Sequence, residues 1–265
     1  MYSLRLKCAA DELDFISSEL WEAGTIGIRE LEESGAVVLV AGFETNDERA
    51  ILMERFALHS AQWTQEDATD WVAATQNAWP GRPIGERVFL APVWLAAETP
   101  AGRFRIIHNP GLACGTGEHP CTQLAMAALE ATDVSAKTVV DIGTGSGLLG
   151  VTALCLGASF AIGLDIDEAA LSAACENFTL NRLPAVLVAG SADCLRDGCA
   201  GITIANISGT VLLSIAGELL RVTGPNGRLV LTGFTGYEVR AIEQTFGKGE
   251  ITSCGEWRCL SVLLS

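Results

Sequence analysis

Val139-Val140-Asp141-Ile142-Gly143-Thr144-Gly145-Ser146-Gly147 is an apolar strand that runs into a carboxylate and then breaks on alternating glycines. After an amphipathic run the shape returns at Ala161-Ile162-Gly163-Leu164-Asp165, a second apolar strand ending in an acid. Strand, glycine turn, helix, strand and acid make up the cofactor-binding unit of a doubly wound sheet. There, bare backbone N–H groups approach an adenosine-bearing ligand and the second acid accepts from its ribose hydroxyls. Gly143, Gly145 and Asp165 are therefore candidate cofactor contacts.

Two cofactors compete for this pattern. Gly145-Ser146-Gly147-Leu148-Leu149-Gly150 matches GxGxxG literally, and Asp165 follows Gly145 by twenty residues, as in a dinucleotide site. The strand, however, already ends at Gly143, which puts Gly150 inside the helix, where a small residue is explained by close packing. Asp141 would repel a pyrophosphate. It suits a ligand bearing an ammonium and a sulfonium, so Asp141 joins the candidate contacts and S-adenosyl-L-methionine is favoured over NAD.

Outward from this core, strands alternate with helices: helix 120–131, strand 138–142, helix 147–157, strand 160–165, helix 167–181, strands 185–189 and 201–206, helix 209–222, strand 228–232, helix 236–246 and a terminal strand near 257–264. That order predicts an α/β domain built on a mostly parallel sheet with helices on both faces.

The first sixty residues read differently. Tyr2, Leu4, Leu6 and Cys8 alternate as in a strand; Leu13, Ile16, Leu20 and Trp21 recur at helical spacing, with Gly24 to stop the helix. Strands at 25–31 and 36–43 flank the turn Glu32-Glu33-Ser34-Gly35. Thr45 and Glu48 suggest a capping box for a helix carrying Ile51, Leu52 and Phe56. With a last strand near Trp63, this is a small α+β unit of ferredoxin-like order. Residues 65–80 read as a helical segment ended by Pro80, followed by strands near 87–91 and 103–108. The expected division is a recognition domain over 1–62, a linker over 63–84 and a catalytic domain over 85–265.

Composition sets limits. The chain has 265 residues, 49% hydrophobic and 18% charged, which favours a packed globule over disorder. No apolar run reaches the length of a membrane span, and the N-terminus lacks the apolar stretch of a secretory signal, so a cytoplasmic protein is expected. The nine cysteines show no CxxC pair and no zinc spacing; they read as small hydrophobes in a reducing compartment, with no metal site. A formal charge of −15 opposes direct nucleic-acid binding and favours a basic partner or a cationic ligand.

With these residues in place, the chain resembles the PrmA family, the methyltransferases of ribosomal large-subunit protein eleven. The likeness runs over nearly the whole length. Asn109-Pro110-Gly111-Leu112-Ala113-Cys114-Gly115-Thr116-Gly117-Glu118-His119-Pro120-Cys121-Thr122 is similar to the family's DPGLAFGTGxHPTT segment. Asp141 to Gly147 is similar to its D-x-GxGSG loop, Asp165-Ile166-Asp167 to its DID, Ala205-Asn206-Ile207 to its AN-[IL] motif, and Gly255-Glu256-Trp257 to its GEW. Upstream, Asp70-Trp71, Gly85-Glu86-Arg87 and Pro92-Val93-Trp94 are similar to its linker region.

The resemblance implies a seven-stranded class I, Rossmann-like methyltransferase sheet and a monomer that methylates lysine or N-terminal amines of that ribosomal protein. It carries the cofactor contacts onto Thr122, Gly143, Asp165 and Asn206, with Ser191 at the adenine edge. Asn206 is the candidate catalytic residue, ending its strand at the mouth of the site and orienting the acceptor amine. Several positions depart from the pattern: Cys114 stands for a phenylalanine, Cys121 for a threonine, Asn109 for an aspartate, and Ser208-Gly209 end an ANILA-like stretch. These leave open a related methyltransferase with another protein or small-molecule acceptor, and a non-catalytic cofactor-binding module. His119, one residue before Pro120, is either a structural residue at the helix start or a general base.

Overall fold

A computed structural model describes residues 1–9, 12–33, 36–65, 81–109, 117 and 119–264. The chain divides into two compact units, Met1–Trp79 and Pro80–Ser265.

In the first unit, β1 (Tyr2–Cys8), β2 (Gly27–Glu33), β3 (Ala36–Phe43) and β4 (Gln62–Gln65) form an antiparallel sheet of order β2-β3-β1-β4. Among the described residues two helices accompany it, α1 (Leu13–Glu22) and α2 (Arg49–Arg55). The alternation along β1 buries Leu4 and Leu6 against Ile16, Leu20, Leu39, Leu52 and Phe56, so this unit has its own core. Gly24 ends α1 as expected, at φ +82°. The capping box does not form. Thr45 Oγ1 accepts from Asp47 N at 3.5 Å, Glu48 makes no capping bond, and α2 begins only at Arg49. Ile51, placed on the apolar face from sequence, is 61% exposed. Of the expected 65–80 helix, all but Gln65 lies outside the described residues.

The second unit is built on a seven-stranded mixed sheet of order β10-β9-β8-β11-β12-β14-β13. Its strands are β8 (Thr138–Ile142), β9 (Phe160–Asp165), β10 (Leu187–Ala189), β11 (Ala200–Asn206), β12 (Thr223–Thr235), β13 (Glu250–Cys254) and β14 (Trp257–Leu263). The first five in that order are parallel neighbours; β14 and β13 complete the edge antiparallel. Beside it lies a small sheet of β5 (Arg82–Ile84), β6 (Val88–Pro92) and β7 (Phe104–His108).

Period-two alternation on the central strands separates two cores. Val139, Ile202, Ile204 and Val230 face one side, under α3 (Pro120–Glu130), α4 (Leu148–Cys155) and Phe178 of α5 (Glu168–Leu180). Val140, Ile142, Ala205, Leu229 and Leu231 face the other, under α6 (Gly209–Ser214), α7 (Ala216–Val222) and α8 (Val239–Phe246). Truncating one of these buried leucines costs about 2–5 kcal/mol. Helices on both faces of a mainly parallel sheet are the doubly wound α/β arrangement read from the sequence.

Three details differ from expectation. The 209–222 helix breaks at Ile215, where ψ turns to 17° and Ser214 Oγ donates back to Val211 O at 2.8 Å. The 228–232 strand runs on in both directions, and its register shifts at Gly233. β13 was missed because Glu250, Thr252, Ser253 and Cys254 are exposed on an edge strand, which leaves no apolar alternation to read.

Candidate active site at the carboxyl edge of the sheet

Because β8, β9 and β11 are parallel, their last residues gather at one edge. Asp141 and Ile142 end β8, Asp165 ends β9 and Asn206 ends β11. A cleft there is lined by Thr122, Gly143, Thr144, Gly145, Ser146, Leu148, Leu149 and Asn206. Four residues singled out from sequence, Thr122, Gly143, Gly145 and Asn206, are thus brought together. The Asn206 side-chain amide donates to Thr122 Oγ1 at 3.2 Å.

The glycine turn is closed by two backbone bonds. Thr144 N donates to Leu164 O at 2.8 Å, and Gly147 N donates to Thr144 O at 2.8 Å. Gly147 enters α4 at φ +76°, and a Cβ there would lie 2.9 Å from Ala174 Cβ and 3.0 Å from Phe178 Cε2, so only glycine fits. Gly150, third glycine of the literal GxGxxG, has a packing reason: a Cβ would sit 2.9 Å from Phe178 Cζ. Small residues here let α4 and α5 close under the turn.

Asp165 is half-buried and ties two loops. Its Oδ2 accepts from Gly145 N at 2.9 Å and its Oδ1 from Asp167 N at 3.1 Å. Each oxygen keeps acceptor capacity, which is what a ribose diol requires. Asp167, not Asp165, caps α5, accepting from Ala169 N at 2.9 Å. Ser191 follows β10, whose Ala189 pairs with Asp165. It stands beside the acid without lining the cleft.

Asp141 does not line the cleft either; it is fully buried beneath the turn. Alternation along β8 puts it on the α4 side of the sheet. Its Oδ2 accepts from Thr144 Oγ1 at 2.7 Å and from Gly150 N at 3.3 Å, in the first turn of α4. Among the described residues the buried Oδ1 has no hydrogen-bond partner. Desolvation is the main cause that pushes this carboxyl up to about 6; the Thr144 and Gly150 bonds oppose it and nearby Asp165 adds to it. A negative charge here, with one oxygen unsatisfied, is best neutralised by a cation above the turn. The bare turn, the spare acceptors of Asp165 and this orphaned oxygen together fit a cationic adenosine cofactor and disfavour a pyrophosphate.

His119 is the N-cap of α3: its Nδ1 accepts from Cys121 N at 3.3 Å, and its ring meets Trp257 edge-on at 4.7 Å. The structural role expected for it is therefore present. Cys114 lies outside the described residues. Gly209 has a local cause, since a Cβ would fall 2.2 Å from Glu238 Oε1 and 3.1 Å from Phe234 Cβ. Sequence reading missed Asn177, a buried side chain that donates to Ser146 O in the glycine turn at 2.9 Å. The available signal was a pair of asparagines, 177 and 181, one turn apart at the end of the expected 167–181 helix.

Among the described residues the eight cysteines are free thiols and no cluster of metal-ligating side chains occurs. Burial raises Cys155 to about 11 and Cys259 to about 12, so both stay protonated at neutral pH. Among the described residues no helix is long and apolar enough to cross a membrane.

Residues 4–264 match the sequence profile of a family described as ribosomal protein L11 methyltransferase (PrmA). A ribosomal protein L11 methyltransferase of Gloeobacter violaceus is 31% identical, over 98% of this chain and 88% of its own length. Another, from Synechococcus sp., is 35% identical over 67% of this chain, and the chain spans 61% of that protein. The crystal structure of a ribosomal protein L11 methylase from Lactobacillus delbrueckii subsp. bulgaricus superposes with a TM-score of 0.66 at 28% identity. It covers 71% of this chain and 100% of its own. With the family profile matched almost end to end, the glycine turn, its two flanking acids and the Asn206–Thr122 pair belong to a methyltransferase: this chain is a member of the ribosomal protein L11 methyltransferase family.

Proposed function

We propose that the chain transfers methyl groups from S-adenosyl-L-methionine to amines of ribosomal protein L11, on lysine side chains, the N-terminus or both. The observation that carries this reading is the Asn206–Thr122 bond. It sets a polar amide at the end of β11, in the same cleft as the bare glycine turn. Asp165 would hold the ribose diol by charge-assisted bonds. Gly143 and Gly145 would admit the methionine moiety, Ser191 would border the adenine, and Thr122 would fix the amide of Asn206.

When bound, the cofactor supplies an activated methyl on a sulfonium, and in-line displacement requires alignment above all. A lysine has a reference pKa of about 10.4, so only about four in ten thousand are neutral at pH 7. Placing that amine in a half-enclosed cleft beside a cation lowers its pKa and frees the lone pair. Asn206 would then accept an amine hydrogen on its Oδ1 and hold the nitrogen in line. This step requires no dedicated base. His119, whose Nδ1 lone pair is engaged at the helix start, serves as a cap.

The sheet order and the two cores support a class I catalytic domain over 85–265. The order β2-β3-β1-β4 supports a ferredoxin-like domain over 1–62 that recognises the protein substrate, with 63–84 linking the two. We read the enzyme as a cytoplasmic monomer that makes no direct nucleic-acid contact; its charge of −15 suits a basic protein substrate. The test is mass spectrometry of ribosomal proteins incubated with the chain and isotope-labelled cofactor. Label on L11 amines is expected. Label on another protein alone would refute the substrate, and none anywhere would refute the enzyme.

A further inference from the structure

Asn177 of α5 and Asn181, the residue that ends it, lie one turn apart, and their side-chain amides act as a neighbouring strand's peptide groups would. Asn181 Oδ1 accepts from Ile107 N at 2.9 Å and its Nδ2 donates to Ile107 O at 2.6 Å. Asn177 repeats the clamp two residues on: Oδ1 accepts from Asn109 N at 2.7 Å and Nδ2 donates to Asn109 O at 3.2 Å. Residues 107 and 109 point the same way along an extended chain, so a helix with asparagines four apart can grip both.

The two clamps differ in one bond. The second hydrogen of the Asn181 amide goes to Asn177 O, within its own helix, at 2.8 Å. That of Asn177 goes to Ser146 O in the glycine turn, at 2.9 Å. Asn177 is 1% exposed and both of its amide hydrogens are engaged. Drawing the Ser146 carbonyl down to α5 fixes the plane of the Ser146–Gly147 peptide, and with it the surface the turn offers to the cleft. Asn109 follows β7 directly. It is held a second time through its own Nδ2, which donates to Glu176 Oε1 at 2.8 Å.

We infer that Asn177 is a positioning residue for cofactor binding. One buried amide holds the glycine turn and the residue after β7 in a fixed relation to α5, so that the wall of the cleft formed by the turn is placed. The inference rests on the cofactor reading above. It predicts a difference between two chemically identical substitutions, Asn177→Asp and Asn181→Asp. Each keeps the backbone N–H acceptor and sets a carboxylate oxygen against two carbonyls. Only the first touches the glycine turn.

The experiment is calorimetric titration of S-adenosylmethionine into the full chain and into both variants, with thermal unfolding of each. Both variants should lose Tm, Asn177→Asp the more, because its site is buried and that of Asn181 only partly so. Asn177→Asp should weaken Kd about tenfold or more, and Asn181→Asp by less than about twofold. If Asn177→Asp does not fold, the pair Asn177→Ser and Asn181→Ser carries the same comparison without an added charge. Equal Kd changes in the two variants, or none, would overturn the inference and leave the cofactor reading standing. A wild-type chain that fails to bind the cofactor would overturn both.

Discussion

The side-chain amide of Asn206 and the hydroxyl of Thr122, 84 residues apart in sequence, meet at 3.2 Å across the mouth of the cleft. With one of its hydrogens given to Thr122, the amide cannot turn freely, and its oxygen keeps one direction relative to the glycine turn. Thr122 is itself fixed, buried in the first turn of α3 with its N–H donating to His119 O at 3.0 Å.

Replacing Asn206 by alanine should therefore act on turnover, not on binding. A loss of about 10²-fold in kcat is expected from a lost alignment, with cofactor affinity changed by less than about threefold. Thr122→Ser should be mild. In a double-mutant cycle, Thr122→Val and Asn206→Ala should fall short of additivity. Strict additivity would show that the 3.2 Å bond has no part in the reaction.

Asp165→Ala should remove cofactor binding by calorimetry, weakening Kd by about 10²-fold or more through the loss of charge-assisted bonds. The variant also strips the acceptor from Gly145 N and Asp167 N. Asp165→Asn, which retains an acceptor for one of them, should recover part of the loss. An unchanged affinity in Asp165→Ala would remove this acid from the ribose.

The Asp141 carboxyl, pushed up from an ordinary 3.8 to about 6 by burial, costs the folded chain stability once it ionises. Its native value lies above its unfolded one, so its contribution is most favourable below about pH 3.8. That contribution is lost as the pH rises through 6, for a total of about 3 kcal/mol. Asp141→Asn does not titrate. Without ligand, the Tm of the variant minus that of the wild type should grow from pH 4 to pH 7 and then level off. A difference independent of pH would contradict the assignment. At pH 7.5 the same variant should bind the cationic cofactor less tightly.

Thiol labelling at pH 8 should divide the cysteines by burial. Cys175, Cys194 and Cys254 are exposed and should react within minutes. Cys121 and Cys259 are buried, and burial pushes the thiols of both, and of Cys155, upward, so these three should react only on unfolding. Rapid loss of Cys121 or Cys259 from the native chain would show that the α3–β14 contact opens.

A chain lacking residues 1–62 should still bind S-adenosylmethionine, because among the described residues the cores flanking the seven-stranded sheet draw on none before Ile84. Methylation of the ribosomal protein should disappear with the deleted segment. Retained methylation would refute its role in recognition.

Local sequence determined the site's chemistry. A run such as Val139 to Gly147 cannot extend past its glycines, and period-two alternation fixes which residues face each core. The strand, the turn, the helix and the order of the two acids were therefore legible from neighbouring residues alone. Asp165 and Asn206 could be placed at one edge because parallel strands end together. Tertiary structure decided what those side chains touch. Asp141, adjacent in sequence to the cofactor turn, is buried beneath it and accepts from Gly150 N in the first turn of α4 instead of lining the cleft. Asn177, with no motif around it, grips both the turn and Asn109. Edge strand β13 forms through backbone pairing with β14, although its side chains carry almost no apolar signal. Hydrogen bonds between residues tens of positions apart depend on how helices settle on the sheet. Total packing sets that, and no local pattern encodes it.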